Sequence, residues 1–193
     1  QYAMVGENLL ASISEVLNVP MESELIEAWN IAYTQLANIL IEGEKARYLA
    51  ERSIENGWDN WREFEVIKKE QESAEITSFY LKPKDQQSVV AYKAGQYISI
   101  RLFVPELDCK QPRQYTVSHY GLEDCYRISV KREDAKEGLA AGYVSTVLHR
   151  DVEVGDIVEV SAPNGVFYLQ NSDKPKVLIS AGVGITPMMA MLH

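Results

Sequence analysis

Apolar residues in the first part of the chain recur with the period of an α-helix. The first such pattern places an apolar residue at every fourth position, at Val5, Leu9, Ile13 and Leu17. This spacing predicts an amphipathic helix over residues 3–17, and a second helical pattern predicts another over residues 22–55. Two long helices joined by a short loop form an antiparallel pair, and further helices are needed to bury their apolar faces. We expect those helices to precede Gln1.

Beyond Gly57 the pattern changes to the alternation that is typical of β-strands. Short runs separated by turn residues predict strands over 64–66, 76–81, 97–102, 114–117, 126–131, 158–160 and 166–169. Such regular short strands indicate a small antiparallel barrel, interrupted by one helix over residues 143–149. An apolar run over 176–180 predicts a buried strand that leads into glycines and a new helix, which is the opening of a βαβ unit.

The composition favours small molecules as partners. The net charge of −9 and the isoelectric point near 4.9 argue against binding to nucleic acids or anionic membranes, which needs clustered Lys and Arg. No apolar run approaches the ~20 residues that cross a bilayer. Two isolated cysteines, Cys109 and Cys125, predict neither a disulfide framework nor a zinc site. We expect a soluble protein of the reducing cytoplasm, and we interpret the chain as an internal piece of something longer.

The stretch Arg113–Thr116 combines groups that a flavin dinucleotide site requires, namely an aromatic surface for the ring system and a cation for the pyrophosphate. The Arg113 guanidinium suits a phosphate because it offers paired donors, and Tyr115 offers the aromatic face. On a strand these two side chains share one face. Gln114 and Thr116 share the other, although twist can bring the Thr116 hydroxyl to the ring edge. The alternative is an ordinary strand with a surface arginine beside a half-buried tyrosine.

Two further stretches can contribute to the same site. Tyr97 lies one strand before this motif and can line the same groove, and the alternative for it is a core tyrosine. Gly142, Val144 and Ser145 begin the lone helix of the barrel, and free N–H groups at a helix start are suited to pyrophosphate. The alternative for them is a simple helix cap. Because the three stretches lie close together in the sequence, we favour a shared flavin site.

Glycines follow the apolar run 176–180, as a nucleotide-binding turn requires. We assign the nucleotide contact to Gly182, Val183, Gly184, Ile185, Thr186 and Pro187. Glycine lets the backbone approach phosphate closely and tolerates positive φ. Thr186 as the N-cap and Pro187 in the first turn would begin the next helix. The alternative is a plain strand-to-helix turn, because Pro187 occupies the last glycine position of a complete G-x-G-x-x-G.

These motifs together resemble the ferredoxin-NADP reductase family over about residues 61–193: R-Q-Y-T, then a G-x-V-S helix start, then G-V-G-I-T-P after an apolar strand. The resemblance implies a six-stranded antiparallel Greek-key barrel that binds FAD, at residues 58–171. It also implies the first βα unit of a Rossmann-like NAD(P) domain, incomplete, at residues 172–193.

The same resemblance implies roles for the individual residues. Arg113 would bind the FAD pyrophosphate, Tyr115 would pack on the flavin, and Thr116 would bond near its reactive nitrogen. The segment 182–187 would contact NAD(P)H. Serine is commoner than threonine at the position of Thr116 in that family, but the hydroxyl is retained.

The helical part resembles the flavohaemoglobin family, the bacterial and fungal nitric oxide dioxygenases. Gln1–Leu10 is similar to the start of that family's penultimate globin helix, and Ala28–Glu44 is similar to its last. Gly57 and Trp58 then lead into the reductase as the family's linker does. The resemblance therefore implies that residues 1–57 are the last two helices of a globin domain, which is incomplete here.

In the flavohaemoglobin family, Tyr2 and Glu44 match proximal residues that orient the histidine bound to haem iron. The resemblance implies haem b as a cofactor, with its ligating histidine upstream of Gln1 and therefore outside this chain. A carboxylate bonded to the imidazole makes the ligand more electron-donating and helps to activate O2. We assign no metal ligand within the chain, and we interpret its histidines as surface or turn residues: His119, His149 and His193.

The activity implied by this resemblance is oxidation of nitric oxide to nitrate with O2, with electrons passing from NAD(P)H to FAD to haem. We expect the chain alone to bind FAD, but not to bind haem or turn over. Two alternatives stay open: a stand-alone FAD-dependent NAD(P)H reductase that serves a non-globin acceptor, and a non-enzymatic interaction module. A globin sequence upstream would select the nitric oxide dioxygenase over the stand-alone reductase, and a perturbed flavin spectrum would exclude the interaction module.

Overall fold

A computed structural model describes residues 2–193, apart from the side chain of Glu51. The chain divides into two compact units, Gln1–Ala50 and Glu51–His193. Its helices and strands, in chain order, are α1 (Tyr2–Leu17), α2 (Glu24–Ser53), β1 (Arg62–Gln71), β2 (Ile76–Pro83), β3 (Tyr97–Val104), β4 (Cys109–Thr116), β5 (Tyr126–Lys131), α3 (Tyr143–Arg150), β6 (Ile157–Val160) and α4 (Ile185–Leu192). The bounds predicted for the three domains stay predictions.

The first unit consists of the two predicted helices, both of which are confirmed. The start of α1 lies against α2, because the Tyr33 hydroxyl donates to the Tyr2 carbonyl at 2.7 Å. Ile26 and Ala37 are buried, but many large apolar side chains are exposed, among them Trp29, Leu36 and Ile39. Gln1, which belongs to the stretch that resembles a globin helix, lies outside the described residues. No helix in residues 2–193 combines the length and the apolar character that spanning a membrane requires.

The second unit is built on one six-stranded sheet with the order β4-β3-β6-β1-β2-β5. Every neighbouring pair is antiparallel, so the predicted six-stranded antiparallel sheet is confirmed. A bridge between Val117 and Ile128 joins the two edges of the sheet beyond the end of β4. The sheet is therefore curled, with β4 and β5 side by side at the place where its edges meet.

The core lies inside this curl and follows the predicted alternation. On β5, Tyr126, Ile128 and Val130 are fully buried while the residues between them are partly exposed. Phe64 of β1 is also fully buried and its ring stacks on that of Tyr126, with 5.6 Å between ring centroids. The predicted helix near 143–149 is confirmed as α3, which contributes Val144, Val147 and Leu148 to the core.

Two of the predicted strands are wrong. Residues 166–169 and 176–180 have no strand structure, and Val166, Val177 and Ile179 are 93%, 81% and 83% exposed. A strand is held by a ladder of hydrogen bonds to a neighbour. Within the described residues, the first segment makes only isolated backbone bonds, such as Leu169 N–H to the Ala94 carbonyl at 3.0 Å. An apolar run without a neighbouring strand therefore does not form a strand.

Candidate functional site

A cavity of about 460 Å³ opens where β4, β5, the start of α3 and the segment before α4 meet. All of these elements belong to the second unit. The lining residues are Arg113, Gln114, Tyr115, Thr116, Ser129, Lys131, Glu133, Gly142, Tyr143, Val144, Ser145, Val183, Gly184, Thr186 and Pro187. Three motifs that are separate in the sequence thus border one cavity of the size that small-molecule sites have.

The four residues Arg113–Thr116 form the end of β4, an edge strand of the sheet order. Residues of one strand alternate between two faces, yet all four border the cavity. The position of β4 at the edge explains this, because a groove along an edge can be reached from both faces. The Arg113 guanidinium is exposed and donates to the Pro112 carbonyl at 2.7 Å. No carboxylate in the described part of the chain pairs with it, so its charge is available to an anionic ligand.

Tyr115 gives the cavity an aromatic wall. It is partly buried and packs against the core of the sheet. Burial raises the pKa of its phenol to about 12, and the charge of Arg113 opposes that shift in part. The ring therefore stays neutral throughout the physiological range and presents an apolar surface to the cavity.

The raised pKa of Tyr115 predicts a titration that can be measured. Folding favours the neutral phenol, so the contribution of this group to stability is complete below the ordinary value of 10.0 and is lost as the pH rises toward about 12. We expect the difference between the ultraviolet pH titrations of wild type and Tyr115→Phe to show a tyrosine that ionises near pH 12. A midpoint near pH 10 in that difference would contradict the burial of the ring.

The start of α3 forms the second wall. Its N-cap is Gly142, which has no side chain to bond the first N–H groups of the helix, and such groups lack an intrahelical acceptor. Ser145 fixes this end, because its hydroxyl accepts from the Glu133 N–H at 3.2 Å and donates to the Gly142 carbonyl at 3.1 Å. A Cβ at position 142 would lie 2.8 Å from the Ser145 oxygen. Glycine is therefore required here by close packing.

The segment 182–187 forms the third wall, with a helix start that differs from the predicted one. Gly182–Gly184 is a short 3-10 turn, and α4 begins at Ile185 with Gly184 as its N-cap. The prediction that Thr186 is the N-cap is wrong, because its hydroxyl donates to the Val183 carbonyl at 2.9 Å and does not receive an N–H. Gly182 has φ of 54°, which agrees with the positive φ that glycine tolerates.

Four residues that were not predicted as site residues also line the cavity: Ser129, Lys131, Glu133 and Tyr143. Two of them lie on β5, and the alternation of that strand was the available signal, since residues 127, 129 and 131 share the face opposite the core. The Lys131 ammonium lies 3.6 Å from the Glu133 carboxylate. Together with Arg113 the lining carries two cations and one carboxylate, which favours an anionic ligand.

Three predicted site residues do not line this cavity. Gly182 and Ile185 belong to the same segment as its third wall, but their neighbours form the surface. Tyr97 lies on β3, where it pairs with Thr116 across the ladder. Its ring faces Gly165, so that a Cβ there would be 3.1 Å from the ring carbons. Its proposed contact with a cofactor stays a prediction.

The first unit holds the other predicted pair. The Tyr2 hydroxyl donates to Glu44 Oε1 at 2.7 Å, and this bond raises the pKa of Tyr2. Beside it lies an apolar groove of about 420 Å³, lined by Tyr2, Val5, Tyr33, Leu36, Ala37 and Leu40. The structure therefore brings Tyr2 and Glu44 into direct contact, and Tyr2 also lines the apolar groove.

The histidines occupy structural positions in the second unit. On α3, His149 Nε2 lies 3.0 Å from the Val130 carbonyl and Nδ1 lies 3.3 Å from the Thr77 hydroxyl. Burial lowers the pKa of His149. His119 stacks on His193 with 4.1 Å between ring centroids. Among residues 2–193, no group of His, Cys, Asp and Glu side chains has the arrangement of a metal site.

Comparison with known proteins gives a consistent result. Residues 63–168 match the family described as the oxidoreductase FAD-binding domain. The chain is 53% identical over 192 residues to a flavohemoprotein of Chromobacterium violaceum, and the match covers 99% of this chain and 48% of that protein. It also resembles the solved flavohemoglobin of Malassezia yamatoensis with bound FAD and heme, with a TM-score of 0.79 and 29% identity, over 99% of this chain and 48% of that one.

A third similar protein is the FAD/NAD binding domain of a nitric oxide dioxygenase from Vibrio cholerae O1 biovar El Tor. The TM-score is 0.65 at 47% identity, over 68% of this chain and 55% of that one. The chain spans about half the length of the curated relatives it matches. The similarity extends over the helix pair as well as the sheet, because the flavohemoprotein matches cover almost the whole chain.

Proposed function

The chain belongs to the oxidoreductase FAD-binding domain family, and from this premise we propose that its cavity holds FAD within a nitric oxide dioxygenase of the flavohaemoglobin type. In this proposal residues 58–171 form the Greek-key FAD barrel, and residues 172–193 begin a Rossmann-like NAD(P) domain. Residues 1–57 are the last two helices of a globin domain. We also place the protein in the cytoplasm.

The observation that carries the proposal is the convergence of three separate motifs on one cavity. The residues fit a flavin dinucleotide. Arg113 is a cation that no carboxylate of the described residues pairs with, and Tyr115 is an apolar ring. The first turn of α3 has N–H groups without a side-chain cap. A phosphate at a helix start is favoured both by those N–H groups and by the helix dipole.

Each wall of the cavity has a defined task in this account. Arg113 and the start of α3 hold the pyrophosphate, while Tyr115 covers one face of the flavin and excludes water from it. The Thr116 hydroxyl supplies a hydrogen bond at the ring edge. Bound FAD supplies hydride and single-electron chemistry, and the protein supplies its position and electrostatic surroundings. The segment 182–187 lies at the same cavity, where it can bring NAD(P)H to the flavin.

The helix pair serves the haem end of the electron path in this account. The bonded pair of Tyr2 and Glu44 lies beside an apolar groove, which suits a flat apolar cofactor. A carboxylate at this position can accept the N–H of a haem-ligating histidine from elsewhere in the whole protein. Such a bond fixes the imidazole and makes it more electron-donating.

The proposal is tested with the full-length protein that contains this chain. We expect it to consume nitric oxide in the presence of O2 and NAD(P)H, with nitrate as the product, and Arg113→Ala to abolish that consumption at limiting FAD. Oxidation of NAD(P)H with ferricyanide but without consumption of nitric oxide would select a stand-alone reductase. Absence of both reactions would overturn the proposal.

A further inference from the structure

Three serine hydroxyls form a hydrogen-bonded cluster beside the cavity. Ser129 on β5 lines the cavity. Its oxygen lies 2.8 Å from that of Ser78 on β2 and 2.9 Å from that of Ser118, which follows β4. Ser78 and Ser118 are 0% and 1% exposed. Ser129 is therefore the one of these three serines that reaches the cavity, and Ser78 and Ser118 hydrogen-bond to it from the buried side.

The direction of the protons follows from the available partners. Each hydroxyl has one proton to donate. Within residues 2–193 the Ser78 hydroxyl has Ser129 as its one partner, and a buried donor without an acceptor is costly. Ser78 therefore donates to Ser129.

Ser118 can donate to Ser129 at 2.9 Å or to the Arg127 carbonyl at 3.3 Å. That carbonyl already accepts the Ser118 N–H at 2.7 Å. The shorter distance and the free lone pair favour Ser129. When both neighbours donate to Ser129, its own proton points toward the cavity.

The position of Ser129 shows what it faces. The antiparallel bridge between Val117 and Ile128 sets Thr116 opposite Ser129. Side chains that are directly opposite in this way have Cβ atoms about 5 Å apart. Both residues line the cavity. The hydroxyl of Ser129 is thus a neighbour of the hydroxyl that the proposed function places at the flavin edge.

We propose that Ser129 is a flavin-binding residue that donates its proton to a carbonyl oxygen or ring nitrogen of the bound flavin. Ser78 and Ser118 are positioning residues that leave this proton no other acceptor. The inference rests on the proposed function. Donation to the ring stabilises the negative charge of reduced flavin, so Ser129 raises the reduction potential as well as the affinity for FAD.

The test compares variants of the chain by FAD titration and by flavin potentiometry. We expect Ser129→Ala to weaken FAD binding about five- to tenfold, the range of one net hydrogen bond, and to lower the flavin potential. Ser172→Ala is the matched control, because it removes an exposed serine hydroxyl that accepts from the Lys174 N–H and does not line the cavity. We expect its affinity to stay within about twofold of wild type, as for surface changes in general.

A double variant distinguishes the loss of a contact to FAD from a loss of protein stability. Ser129→Ala leaves the buried Ser78 hydroxyl without an acceptor, whereas Ser78→Ala with Ser129→Ala removes both groups. We expect the double variant to fold and still to show the weaker binding and the lower potential. Wild-type affinity and potential in it would overturn the inference, as would an equal loss in Ser172→Ala. If the wild-type chain itself does not bind FAD, the proposed function fails first, and the role of Ser129 fails with it.

Discussion

Arg113→Ala is expected to weaken FAD binding by about a hundredfold. Hydrogen bonds to charged groups contribute about 1.5–3 kcal/mol each, and a guanidinium can make two to one phosphate. Among the described residues this group donates only to the neighbouring Pro112 carbonyl, which it can leave at little cost. The loss should appear in the dissociation constant from a calorimetric titration of the chain with FAD.

Arg150→Ala is the matched control for this prediction. Arg150 lies at the far end of α3 and bonds to Asp151 and Glu106, and it is not part of the cavity lining. Its removal changes the net charge equally. We expect the affinity of this variant to remain within about twofold of wild type, as for surface changes in general. Equal losses in both variants would mean that Arg113 acts only through overall charge.

Phe64→Ala is expected to lower the free energy of unfolding by about 3–5 kcal/mol, the usual cost of removing a buried phenylalanine. Phe64 is fully buried, and its ring lies 5.7 Å from that of Trp58 and 5.6 Å from that of Tyr126. The cavity left by the substitution cannot be filled by the rigid sheet around it. Chemical denaturation of the chain measures this change directly.

Phe103→Ala provides the comparison. Phe103 lies on β3 with 49% of its surface exposed, so its removal should cost less than about 1 kcal/mol. Similar losses for the two phenylalanines would contradict the assignment of Phe64 to the core. Because the core holds β4 and β5 in place, we also expect Phe64→Ala to reduce FAD binding at temperatures near its unfolding transition.

The secondary structure that could be predicted is the part that carries a local signal. The helix pair follows a four-residue apolar spacing, although Val5, Leu9 and Leu17 of that pattern are exposed. The strand β5 follows strict alternation because it packs one face into the core. Residues 176–180 carry an equally strong apolar pattern, yet no neighbouring strand is available to pair with them among the described residues. An apolar run predicts burial, but the hydrogen-bonding partner is a property of the whole fold.

The residues of the site also divide into those with a local sequence signal and those that depend on the whole fold. Arg113, Tyr115 and the glycines near residue 182 could be found because their chemistry is concentrated in short motifs. For Ser129 and Lys131 the alternation of β5 shows only that they share a face, since their place at the cavity depends on the curl that brings β5 beside β4. The N-cap of α4 was assigned to Thr186 from residue type alone. Its hydroxyl instead bonds the preceding 3-10 turn, a local competition that residue preferences do not resolve.

The central claim is that a flavin occupies the cavity beside Tyr115 and Thr116. The most direct measurement is a fluorescence titration of free FAD with the purified wild-type chain. We expect saturable binding at one site per chain, with quenched flavin emission and a shifted visible absorption band. Emission and absorption that remain those of free FAD at saturating protein concentration would contradict it.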